Sequence, residues 1–264
     1  MVRWIFSEAY LPSILVLSIL VLCIQGAWAQ TTLPGFFDES AGQLVIEAES
    51  IGVLPDDWRD QSSTTAPNVD EPAAATGSGF IVWDGNQSLN NPGNGLLVYP
   101  IRINTPGEYR FCWRSQVGNG TSPTDHNDSW LKIDADAFFG RKNNGSVVCP
   151  KGFDPEQNDC EGGEPNGSGR EGWFKVYSSG TTDWTFSTRT SDNDAHEIYA
   201  RFDVPGLYEI QVSARSSFHL LDRFTLSNAL NCLQNLDLPE SNYVDPRLIF
   251  GDRFETDGFD FPDG

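Results

Sequence analysis

Between about residues 44 and 227, this chain is dominated by short runs in which apolar and polar residues alternate, cut apart by Gly, Pro, Asn and Asp. A period of two sends successive side chains to opposite faces of a strand. No stretch beyond the N-terminal apolar segment sustains the 3.6-residue period of a helix. Leu44–Glu49, Gly79–Trp83, Leu96–Ile103, Tyr109–Arg114, Trp130–Asp134, Trp173–Tyr177, Trp184–Thr190, His196–Phe202, Tyr208–Arg215 and Leu221–Ser227 read as strands. Many short strands with turn residues between them predict an all-β fold, an antiparallel β-sandwich of jelly-roll type. An internal echo supports two sheets. Pro106-Gly107 leads through Tyr109 into a strand ending Arg114-Ser115, and Pro205-Gly206 leads through Tyr208 into one ending Arg215-Ser216.

The flanks read differently. Arg3, an apolar run over residues 11–24 and the Ala27-Trp28-Ala29 site have the form of a secretory signal peptide over residues 1–29. The run is short for a membrane span, which needs about 20 apolar residues. A linker over 30–42 leads to the sandwich at 43–228. Residues 142–172, rich in Gly, Asn, Pro and acid, read as a long inserted loop. Residues 229–264 read as an irregular acidic tail.

Export makes the cysteines informative. Cys23 falls within the signal, leaving Cys112, Cys149, Cys160 and Cys232, an even number that reads as disulfides. Of the three pairings, Cys149–Cys160 closes a short turn-rich loop, which leaves Cys112–Cys232. Thirty-seven acidic residues against 17 basic give a net charge of −20. That balance argues against nucleic acid and anionic membranes as partners, since both demand a basic face. The chain is expected to be secreted and to work as a monomer, with no membrane span after signal removal.

Several motifs follow one another in a familiar order. Val45-Ile46-Glu47-Ala48-Glu49 opens the series. Asn127-Asp128-Ser129-Trp130 through Asp134, then Asp183-Trp184-Thr185-Phe186, follow. Pro205-Gly206-Leu207-Tyr208 and Leu221-Asp222-Arg223-Phe224 close it. Over about residues 43–228 the chain resembles carbohydrate-binding modules of families 6 and 35. The resemblance implies a non-catalytic β-sandwich that binds a polysaccharide.

Candidate site residues come from both lines of reading. Glu47 and Glu49 are two apart and share a strand face, where like charges repel unless neutralised. By resemblance they join Asp222 in holding a structural calcium, an ion that prefers oxygen ligands. Trp184 begins a strand at a loop edge and, by resemblance, is the first candidate for stacking on sugar. Trp58, in the polar run Asp56-Asp57-Trp58-Arg59-Asp60, is the second. Trp113 and Trp130 sit within alternating runs and read as core. Two polar loops, one holding Asp125, His126 and Asn127 and the other Asp192 and His196, offer partners for sugar hydroxyls. Both also suit ordinary turns. The family's asparagine before the closing aspartate is missing here, and His219 is the polar residue nearest that place. No Gly-x-Ser-x-Gly, His-Glu-x-x-His or phosphate-binding loop occurs. Two other readings are kept: a small hydrolase or lyase using His126, His196 or His219, and an adhesion or matrix protein.

Overall fold

The alternating runs assemble into two stacked sheets, as a computed structural model of the protein shows; it describes residues 35–69, 74–155 and 159–245. The signal segment and the end of the acidic tail lie outside these residues. One sheet runs in the order β11 (Gly169–Arg170), β12 (Trp173–Tyr177), β7 (Asp128–Ile133), β14 (Gly206–Ser213), β5 (Leu97–Ile103), β1 (Phe36–Asp38) and β16 (Tyr243–Val244). The other runs β10 (Glu164–Gly167), β9 (Val147–Pro150), β8 (Ala137–Arg141), β13 (Glu197–Phe202), β6 (Gly107–Val117), β15 (His219–Ser227), β4 (Ile81–Trp83) and β3 (Trp58–Asp60). β2 (Gln43–Glu47) also pairs with β15, on the side it shares with β4. Pairing is antiparallel except for β1 with β5 and β10 with β9. The architecture is the β-sandwich that the alternation predicts.

The period of two decides what is buried. In β5, Leu97, Tyr99, Ile101 and Ile103 face the core, while Arg102 between them is exposed. The sheets meet through aromatic pairs spread along their length: Tyr99 with Phe224 at 5.1 Å between ring centroids, Phe138 with Phe174 at 5.0 Å, and Phe202 with Tyr208 at 4.7 Å. Such pairs add specific geometry to the apolar area they remove from water. The internal echo holds equivalent places in the two sheets. Tyr109 at the start of β6 donates its hydroxyl to the carbonyl of Thr105, and Tyr208 at the start of β14 donates to that of Val204. Each bond reaches back four residues and fixes the chain's entry into its strand.

Four expectations change. The run 184–190 forms no regular strand; Thr185 makes a single bridge to Ser115. Phe36–Asp38, read as linker, is β1, paired between β5 and β16. The insertion is more ordered than a loop, because 142–172 contains β9, β10 and β11. The tail docks before it leaves the described residues. Ser241 pairs with Val45, Glu240 accepts the amide of Glu47, and the Tyr243 ring packs on Phe37 at 5.1 Å. A disulfide joins Cys112 of β6 to Cys232 at the start of that tail, and a second joins Cys149 to Cys160.

One buried polar contact crosses the sandwich. His219 of β15 is fully buried, and its Nδ1 pairs with the Ser129 hydroxyl of β7 at 2.9 Å. Burial holds this imidazole down at about 4, below its usual 6.5, with Asp128 opposing the shift. The folded state therefore favours the neutral ring. Stability from this group is complete above about pH 6.5 and is lost as pH falls toward 4, because the unfolded chain takes up the proton first. Urea unfolding at steps between pH 7 and pH 4.5 should show this loss, at a limiting slope of about 1.4 kcal/mol per pH unit per proton. His219→Asn should flatten the slope; an unchanged slope would place the acid sensitivity elsewhere.

Candidate functional site

The side of β6 away from β15 changes partner midway. Its first half pairs with β13, from Gly107 to Phe111. Beyond that the irregular segment 182–188 takes over. The Val117 amide donates to the Thr182 carbonyl, Ser115 and Thr185 exchange bonds, and the Trp113 amide donates to the Thr188 hydroxyl. This segment carries Trp184 onto the outer face of the sheet. The indole lies against the Arg114 guanidinium, 4.8 Å from the ring centroid, and against the Phe80 ring at 5.8 Å. A cation and a second ring behind it hold the indole in one orientation.

Beneath and around Trp184 is a small apolar cluster separate from the main core. Ala66, Phe80, Val82 and Leu220 are buried in it, and Val69, Ala75, Trp184 and Phe218 are half-buried at its rim. Asn68 pins the 66–69 loop by donating its amide to the Gly120 carbonyl at 2.6 Å. Phe218 has φ 60°, a conformation that a bulky side chain rarely adopts. Its amide bonds to the Trp83 carbonyl and its carbonyl to the Gly118 amide, so the neighbouring strands impose it. Strain imposed in this way gathers at ligand-holding positions. His126, itself at φ 53°, packs on the Phe218 ring at 5.8 Å and donates from Nδ1 to the Ser217 carbonyl. Exposed Asp183 and Asp125 lie on the loops that carry Trp184 and His126.

The other sequence candidates distribute differently. Trp58 is no ligand contact: it is 2% exposed, points into the main core from β3, and donates Nε1–H to the Gly95 carbonyl. Asn127 is buried and donates to the Ser178 carbonyl at 2.6 Å. His219 serves the inter-sheet contact. His196 is fully buried, bonded to the Asp194 carbonyl at 2.5 Å and 3.4 Å from the Ser146 hydroxyl. Asp192 is exposed and paired with Lys175 at 2.8 Å. The loop holding Asp192 and His196 thus fastens β12 and the β8–β9 hairpin. Of the three histidines offered by the enzymatic reading, His196 and His219 are fully buried, and His126 is half-buried.

Phe218 and the loop around Ala66 escaped sequence reading. A signal for Phe218 was present: with His219 turned inward, alternation turns its neighbour outward.

Glu47, Glu49 and Asp222 come together where β2 and β4 leave a gap along β15. Asp222 sits at a bulge in β15 and is fully buried. Its Oδ2 accepts from Arg114 at 2.5 Å, and its Oδ1 accepts from the Thr76 amide and hydroxyl at 2.8 and 3.0 Å. Glu47 Oε1 pairs with the Arg223 guanidinium, and Oε2 accepts from the Thr76 hydroxyl. Glu49 Oε1 accepts from the Ser78 and Gly79 amides, while its Oε2 has no protein partner. Burial pushes the Glu49 carboxyl up to about 7, against the pull of these bonds, and Glu47 adds to the rise. Asp222 is also raised, by burial first, with Arg114 and Thr76 opposing. Calcium takes roughly six to eight oxygens. Five of the six carboxylate oxygens here are committed to protein donors, and two arginines supply the counter-charge. As arranged, the trio does not fit a calcium shell. Among the described residues, no group of three or more His, Cys, Asp or Glu is gathered for a metal ion.

No protein-family model and no curated protein matches the chain. Similar solved structures include a GH26-CBM35 β-(1,4)-mannanase of Podospora anserina, 13% identical, with a TM-score of 0.38 over 71% of this chain and 28% of that one. The isomalto-dextranase of Arthrobacter globiformis T6, complexed with panose, is 13% identical with a TM-score of 0.36 over 71% and 24%. A ruminal GH26 endo-β-1,4-mannanase is 13% identical with a TM-score of 0.34 over 74% and 27%. The chain spans about a quarter of the length of these proteins.

Two outcomes follow for the charged quartet. Chelator should leave the melting temperature unchanged, whereas a fall reversed by added calcium would show that the carboxylates regroup around an ion. Arg114→Met should cost about 3–5 kcal/mol in urea unfolding, since Asp222 is left buried without its counter-charge. A cost below about 1 kcal/mol, the range of exposed pairs, would contradict the buried-pair reading.

Proposed function

We propose that this chain is an exported, non-catalytic domain that binds a neutral or weakly charged polysaccharide through the Trp184–Phe218 patch. The observation that carries the reading is the mounting of Trp184: half-buried, held from behind by Arg114 and Phe80, at the rim of a small apolar cluster. A sugar ring presents C–H groups on its faces and hydroxyls at its edges. A fixed indole suits the faces, and the carboxylates and imidazole of Asp183, Asp125 and His126 suit the edges. A net charge of −20 sets the ligand class by repulsion, since anionic polymers meet a like-charged surface. Two disulfides suit an oxidising compartment. Among the described residues, no helix is long and apolar enough to cross a membrane.

The test is retention on glycans. The protein should be held by at least one neutral polysaccharide in affinity electrophoresis or pull-down. Trp184→Ala should weaken binding by about 1–3 kcal/mol, by analogy with the loss of a base-stacking ring, while Trp184→Phe keeps part of it. Binding unchanged in Trp184→Ala would move the site elsewhere. Release of reducing ends or unsaturated products would replace this reading with an enzymatic one.

A further inference from the structure

The turn that leaves β6 ties two parts of the Trp184 patch together. Gly118 donates its amide to the Phe218 carbonyl at 2.8 Å, and its own carbonyl accepts from the Asn68 amide at 2.9 Å. Two residues on, the Gly120 carbonyl accepts from the Asn68 side chain at 2.6 Å. The turn therefore holds Phe218 on one side and the loop carrying Ala66 and Val69 on the other. Between the two carbonyls clamped by Asn68 stands Asn119, followed by glycine.

An asparagine followed by glycine carries its own chemistry, because glycine has no Cβ to shield its backbone nitrogen. Attack by that nitrogen on the asparagine Cγ forms an N–Cγ bond and breaks the bond from Cγ to Nδ2. The amide proton leaves with the side-chain nitrogen as ammonia, and a succinimide ring remains. Water then opens the ring at either carbonyl. One opening gives an aspartate, the other an isoaspartate whose main chain runs through Cβ and Cγ. Nothing is oxidised or reduced, and water is the co-reactant.

The chain has four Asn-Gly pairs, and the structure separates them. Gly95, after Asn94, is packed so that a Cβ would lie 2.6 Å from the Trp83 ring, and Gly167, after Asn166, so that a Cβ would lie 2.7 Å from the Phe174 ring. After Asn144, the Gly145 amide donates to the Lys142 carbonyl at 2.9 Å, and Asn144 Oδ1 accepts from the Ser146 amide at 3.1 Å. Asn119 has none of these restraints. Gly120 is exposed at φ 77°, with open space where a Cβ would stand. Among the described residues, neither its amide nor the Asn119 side chain is hydrogen-bonded.

We infer that Asn119 is a site of spontaneous deamidation, and that the change dismantles one side of the Trp184 patch. An isoaspartate inserts an extra backbone carbon between the Gly118 and Gly120 carbonyls, whose bonds to Asn68 require their present spacing. Phe218 and the loop around Ala66 then lose the turn that joins them. The modification stands on the geometry of the turn; its effect on ligand rests on the proposed glycan reading.

Incubation of the full chain in mildly alkaline buffer, with peptide mass mapping at intervals, tests it. The mass gain of an amide exchanged for an acid should appear at Asn119 before it appears at Asn94, Asn144 or Asn166, together with isoaspartate detected by enzymatic methyl transfer. Asn119→Gln, whose longer side chain disfavours the ring closure, should abolish that first gain. A first gain at any of the other three pairs, or none at Asn119, would overturn the site. Aged protein should lose melting temperature and retention on neutral polysaccharide in step with the isoaspartate, and aged Asn119→Gln should lose neither. Full conversion with both readouts unchanged would overturn the effect on the patch. A melting temperature that falls with conversion, in a protein that binds no glycan when fresh, would support the modification and overturn the glycan reading.

Discussion

A fully buried aspartate in the middle of a central strand is the constraint around which much of this sandwich is arranged. Asp222 interrupts β15 at a bulge, has no access to water, and has to be neutralised within the protein. Arg114 comes to it from the neighbouring strand β6. Arg223, the next residue along, turns to Glu47 on the strand's other side. Thr76 then bonds both carboxylates from the loop that fills the gap between β2 and β4. Four charges and one hydroxyl thereby fix three strands and a loop in register. Hydrophobic burial alone does not specify such an arrangement, because it rewards any register that keeps the apolar face inside.

That electrostatic fastening also shapes the outer surface. Arg114 is held by Asp222 below, so its guanidinium is a fixed shelf for Trp184. The indole's position is thus set by a charge whose own position is set by the bulge. Phe218 is fixed from the same strand: it stands at the entry to β15, four residues before Asp222, and its conformation is imposed by bonds to Trp83 and Gly118. A patch built this way is preorganised, and ligand binding loses less to ordering when the platform already holds its shape.

The Asn127-Asp128-Ser129-Trp130 segment shows how a motif can serve the fold rather than a ligand. Asn127 bonds the chain after β12, and Asp128 accepts from Arg215 at 2.5 Å and from Ser216 at 2.6 Å. Ser129 reaches across the core to His219, and Trp130 donates to the Ser88 carbonyl. Four consecutive residues join one sheet to the other and to two loops. All four are buried, so their polar atoms are retained as fasteners.

The sequence by itself determined the fold class and most of the strands, because alternation and burial are the same fact in a half-buried strand. Leu97, Tyr99, Ile101 and Ile103 were legible as core for that reason. Trp184 stood first through the family resemblance and its place at a loop edge, and the structure leaves it half-buried at the rim of a small cluster. Tertiary structure decided the rest. Trp58, in a run of acids, turned inward because β3 pairs with β4 and brings it edge-on to Trp83, at 5.8 Å. Glu47 and Asp222 found arginines as partners, and neither guanidinium is near in sequence to the carboxylate it pairs with. Phe218 joined the Trp184 patch across 34 positions of chain. Local pattern reports which face a side chain takes. Its partner is set by which strands lie side by side, and those contacts are made by residues distant in sequence.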